Sequence, residues 1–276
     1  MATLQSLLDS AELPDSPTPR LDAELLLAAA LGKPRSYLRT WPEQEPDAAQ
    51  QAAFAAMLER RRGGEPVAYI LGHQGFWSLD LEVAPHTLIP RPDTELLVET
   101  ALQLAPATPL RVLDLGTGSG AIALALASER GGWRVTGVDR IPEAVELAER
   151  NRRRLGLGNA EFRQSSWFDA LAGERFGLIV SNPPYIAAGD RHLGEGDVRF
   201  EPLSALVAGA DGLDDIRQIV GEAPAHLEDG GWLLLEHGYD QAEAVRGLLA
   251  AAGFEALQSR RDLGGHERIS LGQWSA

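Results

Sequence analysis

Apolar residues recur at helical spacing through the first seventy positions of the chain, and the period then changes. Leu4 to Leu8 forms one short helical pattern, and Leu21 to Leu31 forms a second after a proline-rich loop from Pro14 to Pro19. A third starts at Asp47, a residue type suited to an N-cap, and runs through Phe54 and Leu58 into Arg60-Arg61-Arg62. Pro66 suits the first turn of a short helix ending near Gly72. Phe76 to Val83 is rich in aromatic and apolar residues with partial alternation, which predicts a strand pair. Leu88-Ile89-Pro90-Arg91-Pro92 is a stiff connector into a helix whose first turn carries Asp93 and Glu95, as the helix dipole prefers.

From Leu110 onward strands and helices alternate. Leu110 to Leu115, Trp133 to Val138, Ala160 to Gln164, Phe176 to Ser181 and Trp232 to Glu236 are short apolar or β-prone runs. Helical patterns separate most of them, notably Ile122 to Arg130, Pro142 to Leu155 and Gln241 to Ala252. Such alternation predicts a parallel sheet with helices on both faces. Phe254 to Ser259 and Glu267 to Leu271 flank Asp262-Leu263-Gly264-Gly265, a hairpin pattern that adds antiparallel strands at the end. The expected organisation is a helical domain over residues 1–74, a β-hairpin linker over 75–90 and an α/β domain over 91–276, with no internal repeat.

Composition removes several chemistries. The 276 residues are 44% hydrophobic, enough for one large domain or a standard domain plus a small one. The absence of cysteine excludes disulfides, zinc-thiolate sites and thiol catalysis. Lys33, the single lysine, lies in a Gly-Lys-Pro turn unsuited to the burial a Schiff base requires. The six histidines show no metal-ligand spacing. A formal net charge of −15 weighs against a protein whose affinity comes from neutralising phosphates. Arg60 to Arg62 and Arg152 to Arg154 follow helical patterns and read as solvated helix ends. The N-terminus lacks signal-peptide character, and no run approaches the roughly 18 apolar residues of a membrane span, so a soluble, cytoplasmic protein is expected.

Val112-Leu113-Asp114-Leu115-Gly116-Thr117-Gly118-Ser119-Gly120 is a strand entering a glycine-rich turn, with a helix immediately after. Glycines there let the chain turn tightly and let a ligand approach the backbone. The Lys-Ser/Thr of a phosphate-binding P-loop is absent, and the spacing is Gly-x-Gly-x-Gly where a dinucleotide site has Gly-x-Gly-x-x-Gly. The next strand ends at Asp139, 23 positions after Gly116. A carboxylate at about that distance can accept hydrogen bonds from both hydroxyls of an adenosine ribose, although it can also cap the helix that starts near Pro142. NAD and S-adenosylmethionine both present such a ribose.

Phe176 to Ser181 reads as a buried strand running into Asn182-Pro183-Pro184-Tyr185. Prolines commonly stop strands and Asn-Pro commonly begins a turn. As the fourth strand, however, it should neighbour the first across the topological switch point, beside the glycine loop. A delocalised amide or ring nitrogen is a poor nucleophile and needs aiming. The Asn182 side-chain oxygen and the Pro183 carbonyl, stiffened by two fixed φ angles, can hold both of its N–H groups, and Tyr185 can stack on the flat target. A sulfonium methyl donor needs no base before transfer, because the N-methylated cation is itself strongly acidic. Hydride transfer has no use for this set, so the residues point to methyl transfer from S-adenosylmethionine.

With these residues in place, the chain resembles the HemK/PrmC family of bacterial protein-glutamine methyltransferases that act on peptide chain release factors. The resemblance spans nearly the whole chain. It is most specific in Leu88 to Glu95, Asp114 to Gly120 and Asn182 to Tyr185, and looser at Glu201-Pro202 and Asp211-Gly212-Leu213. It implies a helical bundle joined by a β-hairpin to a class I, Rossmann-like methyltransferase domain with a mostly parallel seven-stranded sheet. It also implies that Gly116, Thr117, Gly118, Ser119, Gly120 and Asp139 bind S-adenosylmethionine. Trp167 would lie by the adenine, and Asn182 would sit between cofactor and substrate. Asn182, Pro183, Pro184 and Tyr185 would bind the glutamine of a Gly-Gly-Gln loop. One departure is Ser165-Ser166, where relatives often carry an acidic residue suited to the adenine amino group; Ser166 offers a weaker acceptor.

The same motifs serve a ribosomal-protein glutamine methyltransferase, and Asn-Pro-Pro-Tyr suits any planar amine, including the amino group of a nucleic-acid base. A non-catalytic cofactor-binding protein and an NAD oxidoreductase are further alternatives. Stable nucleic-acid binding is not expected, given the charge. Residues 187–200, with Gly189, Gly194 and Gly196 among acids, read either as a flap over the substrate or as a solvated loop.

Overall fold

A computed structural model describes residues 2–275. The chain divides into two compact units, Met1–His73 with Arg191–Phe200, and Gln74–Asp190 with Glu201–Ala276.

The first unit holds α1 (Leu4–Asp9), α2 (Pro19–Leu31), α3 (Arg35–Thr40), α4 (Ala48–Arg62) and α5 (Val67–Leu71). Leu4, Leu26, Leu27, Leu38, Phe54 and Leu58 meet in its core. Asp47 caps α4 through a capping box: its carboxylate accepts from Gln50 N at 2.8 Å while Asp47 N donates to the Gln50 side chain at 3.0 Å. Helix α2 ends at Gly32 in the left-handed conformation. The basic run closing α4 departs from the solvated end read in the sequence. Arg61 is buried, donating from Nε to Asp22 Oδ2 and from Nη1 to Asp197 Oδ1, each at 2.7 Å. Asp197 lies in the second of two short 3-10 turns, Arg191–Gly194 and Gly196–Phe200. Burying the guanidinium is tolerable because two carboxylates and backbone carbonyls satisfy it.

The second unit starts with a hairpin, β1 (His73–Phe76) and β2 (Leu79–Glu82), whose first strand begins before the aromatic run. Phe76 and Leu81 are buried in the same cluster as helices α6 (Glu95–Leu104) and α7 (Ala121–Glu129). Pro92–Thr94 forms a 3-10 turn ahead of α6, so Asp93 precedes the helix proper. Seven strands follow: β3 (Arg111–Leu115), β4 (Arg134–Asp139), β5 (Ala160–Gln164), β6 (Phe176–Ser181), β7 (Leu227–Glu236), β8 (Glu255–Arg261) and β9 (Glu267–Gln273). Their order is β5-β4-β3-β6-β7-β9-β8. Pairing is parallel from β5 to β7 and antiparallel on both sides of β9. This is the class I methyltransferase fold.

Strand alternation divides the apolar residues between two faces. Val112, Leu178, Val180 and Leu234 pack with α6 and α7, while Leu113, Leu115, Ile179, Leu233 and Leu235 pack with α9 (Asp214–His226) and α10 (Ala242–Ala251). Helix α8 (Pro142–Leu155) buries Ala144, Leu147 and Ala148 and ends at left-handed Gly156. Its arginine run behaves as the sequence reading expects, largely exposed and paired with Glu149 and Asp80. No helix among the described residues is long and apolar enough to cross a membrane.

Candidate active site

Register fixes the site. Leu115 pairs with both Val138 and Ser181, and Ser181 pairs with Leu235. The next residue on each strand is therefore brought to one edge of the sheet, in the order Asp139, Gly116, Asn182, Glu236. Ser181 Oγ donates to Leu115 O at 2.8 Å and ties the two central strands together where they part. Such an edge at the topological switch point is where open α/β sheets bind ligands.

The glycine turn crosses this edge. Gly116, Gly118 and Gly120 all have positive φ. A Cβ on Gly120 would lie 3.0 Å from Leu124 Cδ1 and 3.1 Å from both Ala148 and Phe162, whereas one on Gly118 would meet nothing nearer than Thr87 at 4.0 Å. Gly120 is thus required by packing, and Gly118 leaves its backbone open to the cavity. Asp114 lies beneath the turn, accepting from Thr117 Oγ1 at 2.6 Å and Ala123 N at 3.2 Å. Its burial pushes its carboxyl up to about 7. Asn151, at zero exposure on α8, donates to Ser119 O at 2.9 Å and to Glu82 O at 3.0 Å, bracing the loop against the hairpin.

Asp139 faces the cavity with its carboxylate held by two backbone N–H groups. Its Oδ1 accepts from Ile141 N and its Oδ2 from Gly118 N, each at 2.9 Å, and the residue still faces the cavity. Burial raises its pKa, against those backbone bonds.

The cavity takes in about 930 Å³ of space, part of it open to solvent. Gly116, Thr117, Gly118, Ser119, Asp139, Trp167, Asn182 and Pro184 line it; Gly120, Pro183 and Tyr185 do not. Trp167, with a φ of 44°, packs partly on the second core face and stands 3.4 Å from where a Gly116 Cβ would be. Ser166 is exposed and on the wall, while Ser165 is buried and turned to Trp167 O and Ala170 N.

Asn182 Nδ2 donates to Thr94 Oγ1 at 3.2 Å, and Asn182 Oδ1 is buried without a partner. A buried acceptor left unused costs about 1–3 kcal/mol, so this oxygen is placed to take a donor from the cavity. Tyr185 places its hydroxyl 3.4 Å from Glu236 Oε1, and burial pushes the phenol up. Gln241 donates to Tyr185 O at 3.0 Å, and a Cβ on Gly212 would strike that carbonyl at 2.2 Å.

Several contributors are not singled out as site residues by the sequence, although all but His86 lie in the motif from Leu88 to Glu95. Thr94, His86, Leu88, Pro90 and Arg91 all line the cavity, and His86 Nε2 is buried and unpartnered. Glu201 holds their connector by accepting from Ile89 N at 3.0 Å and pairing with Arg91. Among the described residues no cluster of histidines and carboxylates is placed to hold a metal.

The chain matches the model of the PrmC N-terminal domain over residues 5–72 and that of a methyltransferase domain over 108–253. A Pseudomonas aeruginosa protein named release factor glutamine methyltransferase is 70% identical over 275 residues, covering 100% of both chains. A Vibrio cholerae protein of the same name is 55% identical over 99% of this chain and 96% of its own. The chain belongs to the release factor glutamine methyltransferase family. Among solved structures, a Pyrococcus furiosus methyltransferase shares the fold, with a TM-score of 0.56, 20% identity, and coverage of 72% of this chain and 91% of that one. A Thermus thermophilus 16S rRNA methyltransferase in complex with AdoMet and guanosine gives a TM-score of 0.53 at 25% identity, over 73% of this chain and 49% of that one. The protein is therefore a methyltransferase enzyme of the S-adenosylmethionine-dependent class. The cavity lining fits that donor: an open glycine backbone, a carboxylate at the second strand end and an indole wall.

Proposed function

We propose that this chain transfers a methyl group from S-adenosylmethionine to the side-chain amide nitrogen (N5) of the glutamine in the Gly-Gly-Gln motif of a peptide chain release factor. The observation that carries the proposal is the unpartnered, buried Oδ1 of Asn182, one strand from the glycine loop. When bound, the cofactor supplies an electrophilic methyl on a sulfonium leaving group. Gly116 to Ser119, Asp139 and Trp167 hold it, and Gly120 packs against Leu124, Ala148 and Phe162 to close the turn. Asn182 Oδ1 and the Pro183 carbonyl accept the two N–H groups of the substrate amide, Pro184 restricts the turn and Tyr185 flanks the amide plane. The residues thereby aim a weak nucleophile, and positioning of that kind contributes up to about 7–11 kcal/mol when attack geometry is reached. The helical unit serves recognition of the protein substrate, which the enzyme meets in the cytoplasm. The net charge of −15 over the whole chain weighs against stable binding of nucleic acid.

Incubating the full chain with labelled S-adenosylmethionine and a panel of release factor, ribosomal protein and nucleic acid tests this. Label is expected on the release-factor glutamine, and Asn182→Ala should abolish it while cofactor binding persists. Label on nucleic acid alone overturns the proposal.

A further inference from the structure

One wall of the cavity is built by a segment that buries almost nothing. Ser204 and Ala205 line it from a short 3-10 turn, Leu203–Ala205, in which no side chain is buried and Leu203 is 63% exposed. Inside the turn, Ala205 N donates to Pro202 O at 2.9 Å and Leu206 N to Leu203 O at 3.1 Å. Packing does not place this wall, so its ties to the surrounding elements must, and a segment held that way opens easily.

The ties reach three sides of the cavity. Before the turn, buried Glu201 accepts from Ile89 N at 3.0 Å and pairs with Arg91 on the connector. After it, Ile186 N donates to Leu206 O at 2.8 Å and Ala208 N to Ile186 O at 3.0 Å, which fastens the segment to the chain just beyond Tyr185. At its middle, Arg140 Nη2 donates to Ser204 O at 3.0 Å, across 64 positions. Arg140 follows Asp139 at the end of β4 and itself lines the cavity, and its own carbonyl accepts from Gln164 Nε2 at 3.2 Å. The first tie is buried and the second runs through the backbone; the third is a single exposed side chain.

We propose that Arg140 is a positioning residue for the cofactor: by holding Ser204 O it keeps the Leu203–Ala205 turn in place as the wall beside Asp139. It thereby retains S-adenosylmethionine, and the S-adenosylhomocysteine left after transfer, in the cavity. The proposal rests on the assignment of this cavity to that cofactor. Without the guanidinium, Ser204 O exchanges its partner for water, which costs the fold little because both groups are exposed. The turn then opens more often, and the ligand leaves faster. Affinity changes less than the exit rate, because an opened wall speeds entry as well.

Two measurements on the full chain test this. Stopped-flow displacement of S-adenosylhomocysteine reads the exit rate, and hydrogen exchange of the 203–207 amides in the ligand-free protein reads the turn itself. Arg140→Ala should speed exit by about 5- to 10-fold, the span of one exposed charge-assisted hydrogen bond. It should also speed exchange in the turn while leaving Tm unchanged. Arg140→Lys keeps a donor for the same carbonyl and should bring both rates back to within about twofold of the parent. An exit rate in Arg140→Ala within about twofold of the parent overturns the proposal. Faster exit with unchanged exchange overturns it too, since Arg140 would then act by touching the ligand and not through the turn. Failure of Arg140→Lys to recover either rate does the same. A parent chain that binds no S-adenosylhomocysteine overturns the assignment of the cavity itself, and the proposal with it.

Discussion

Gly118 and Gly120 are two residues apart on one turn, yet alanine at each should damage a different property. At Gly120 the backbone has a φ of +85°, and an added methyl would lie 3.0 Å from Leu124 Cδ1 and 3.1 Å from Ala148 and Phe162. The left-handed conformation costs an L-residue about 1–2 kcal/mol, and overpacking a closed site costs about 1–3 kcal/mol more. A loss of about 2–5 kcal/mol lowers Tm by roughly 5–20 °C for a unit of this size. At Gly118, with a φ of +55° and no atom nearer than Thr87 at 4.0 Å, only the conformational part applies. Its methyl instead enters the cavity wall where a ligand must approach the backbone. A comparable conflict of about 1–3 kcal/mol with the ligand weakens binding by about 5- to 150-fold. Calorimetric titration of S-adenosylmethionine and thermal unfolding by circular dichroism on both variants separate the two costs. Gly118→Ala with cofactor affinity within twofold of the parent, or with a Tm loss as large as that of Gly120→Ala, would refute the assignment of this turn to the cofactor.

Two further predictions concern buried charge. Replacing Arg61 with methionine leaves Asp22 buried with only the Ser16 and Thr18 hydroxyls on it, and removing one partner of such a pair costs about 3–5 kcal/mol; limited proteolysis should cut the helical unit and the 191–200 segment at lower temperature, and unchanged protection would contradict the pairing. Asp114 binds its proton up to about pH 7 when folded but only up to about 3.8 when unfolded. The folded state thus gains stability from that proton below pH 4 and loses it as pH rises to 7, by at most about 4 kcal/mol. Asp114→Asn should therefore flatten the fall of Tm between pH 5 and 8. Glu149, held down to about 2 by Arg152, titrates outside this window. A slope unchanged in the variant would show that Asp114 does not carry it.

The sheet domain was largely legible because its signals are local. Strand runs, intervening amphipathic helices and a glycine turn fix a parallel sheet and its switch point, and the capping box at Asp47 follows from two residues three apart. What escaped was of two kinds. Helix α3 is six residues long and buries only Leu38, too little to show a period. Helix α9 does carry a stripe, Ile216, Ile219, Val220 and Ala223, but Gly221 and Pro224 interrupt it with breaker residues. Pro224 lies in the last turn, so it forfeits a single backbone bond while the stripe stays buried. The arginine run at the end of α4 misled for a different reason. The partners of Arg61 lie 39 and 136 positions away, and nothing in the local charge pattern distinguishes it from its solvated neighbours.

The same distinction separates the parts of the site. Gly116, Asp139 and Asn182 stand out because each ends a strand with an unusual residue. Thr94 and Glu236 are commonplace types, and their places come from contacts that only the assembled sheet makes: Asn182 reaches Thr94 across 88 positions, and the pairing of Ser181 with Leu235 sets Glu236 opposite Asn182. This has a mechanical consequence. Because the glycine loop, Asn182 and Glu236 leave three adjacent strands at matched registers, their spacing is held by the backbone ladder rather than by loops. A slip of one residue on β6 would turn Asn182 to the other face and remove it from both neighbours. Chemistry that works by aiming a weak nucleophile tolerates little such error, since a displacement of about 1 Å can cost 10²-fold. Accuracy therefore resides in the sheet.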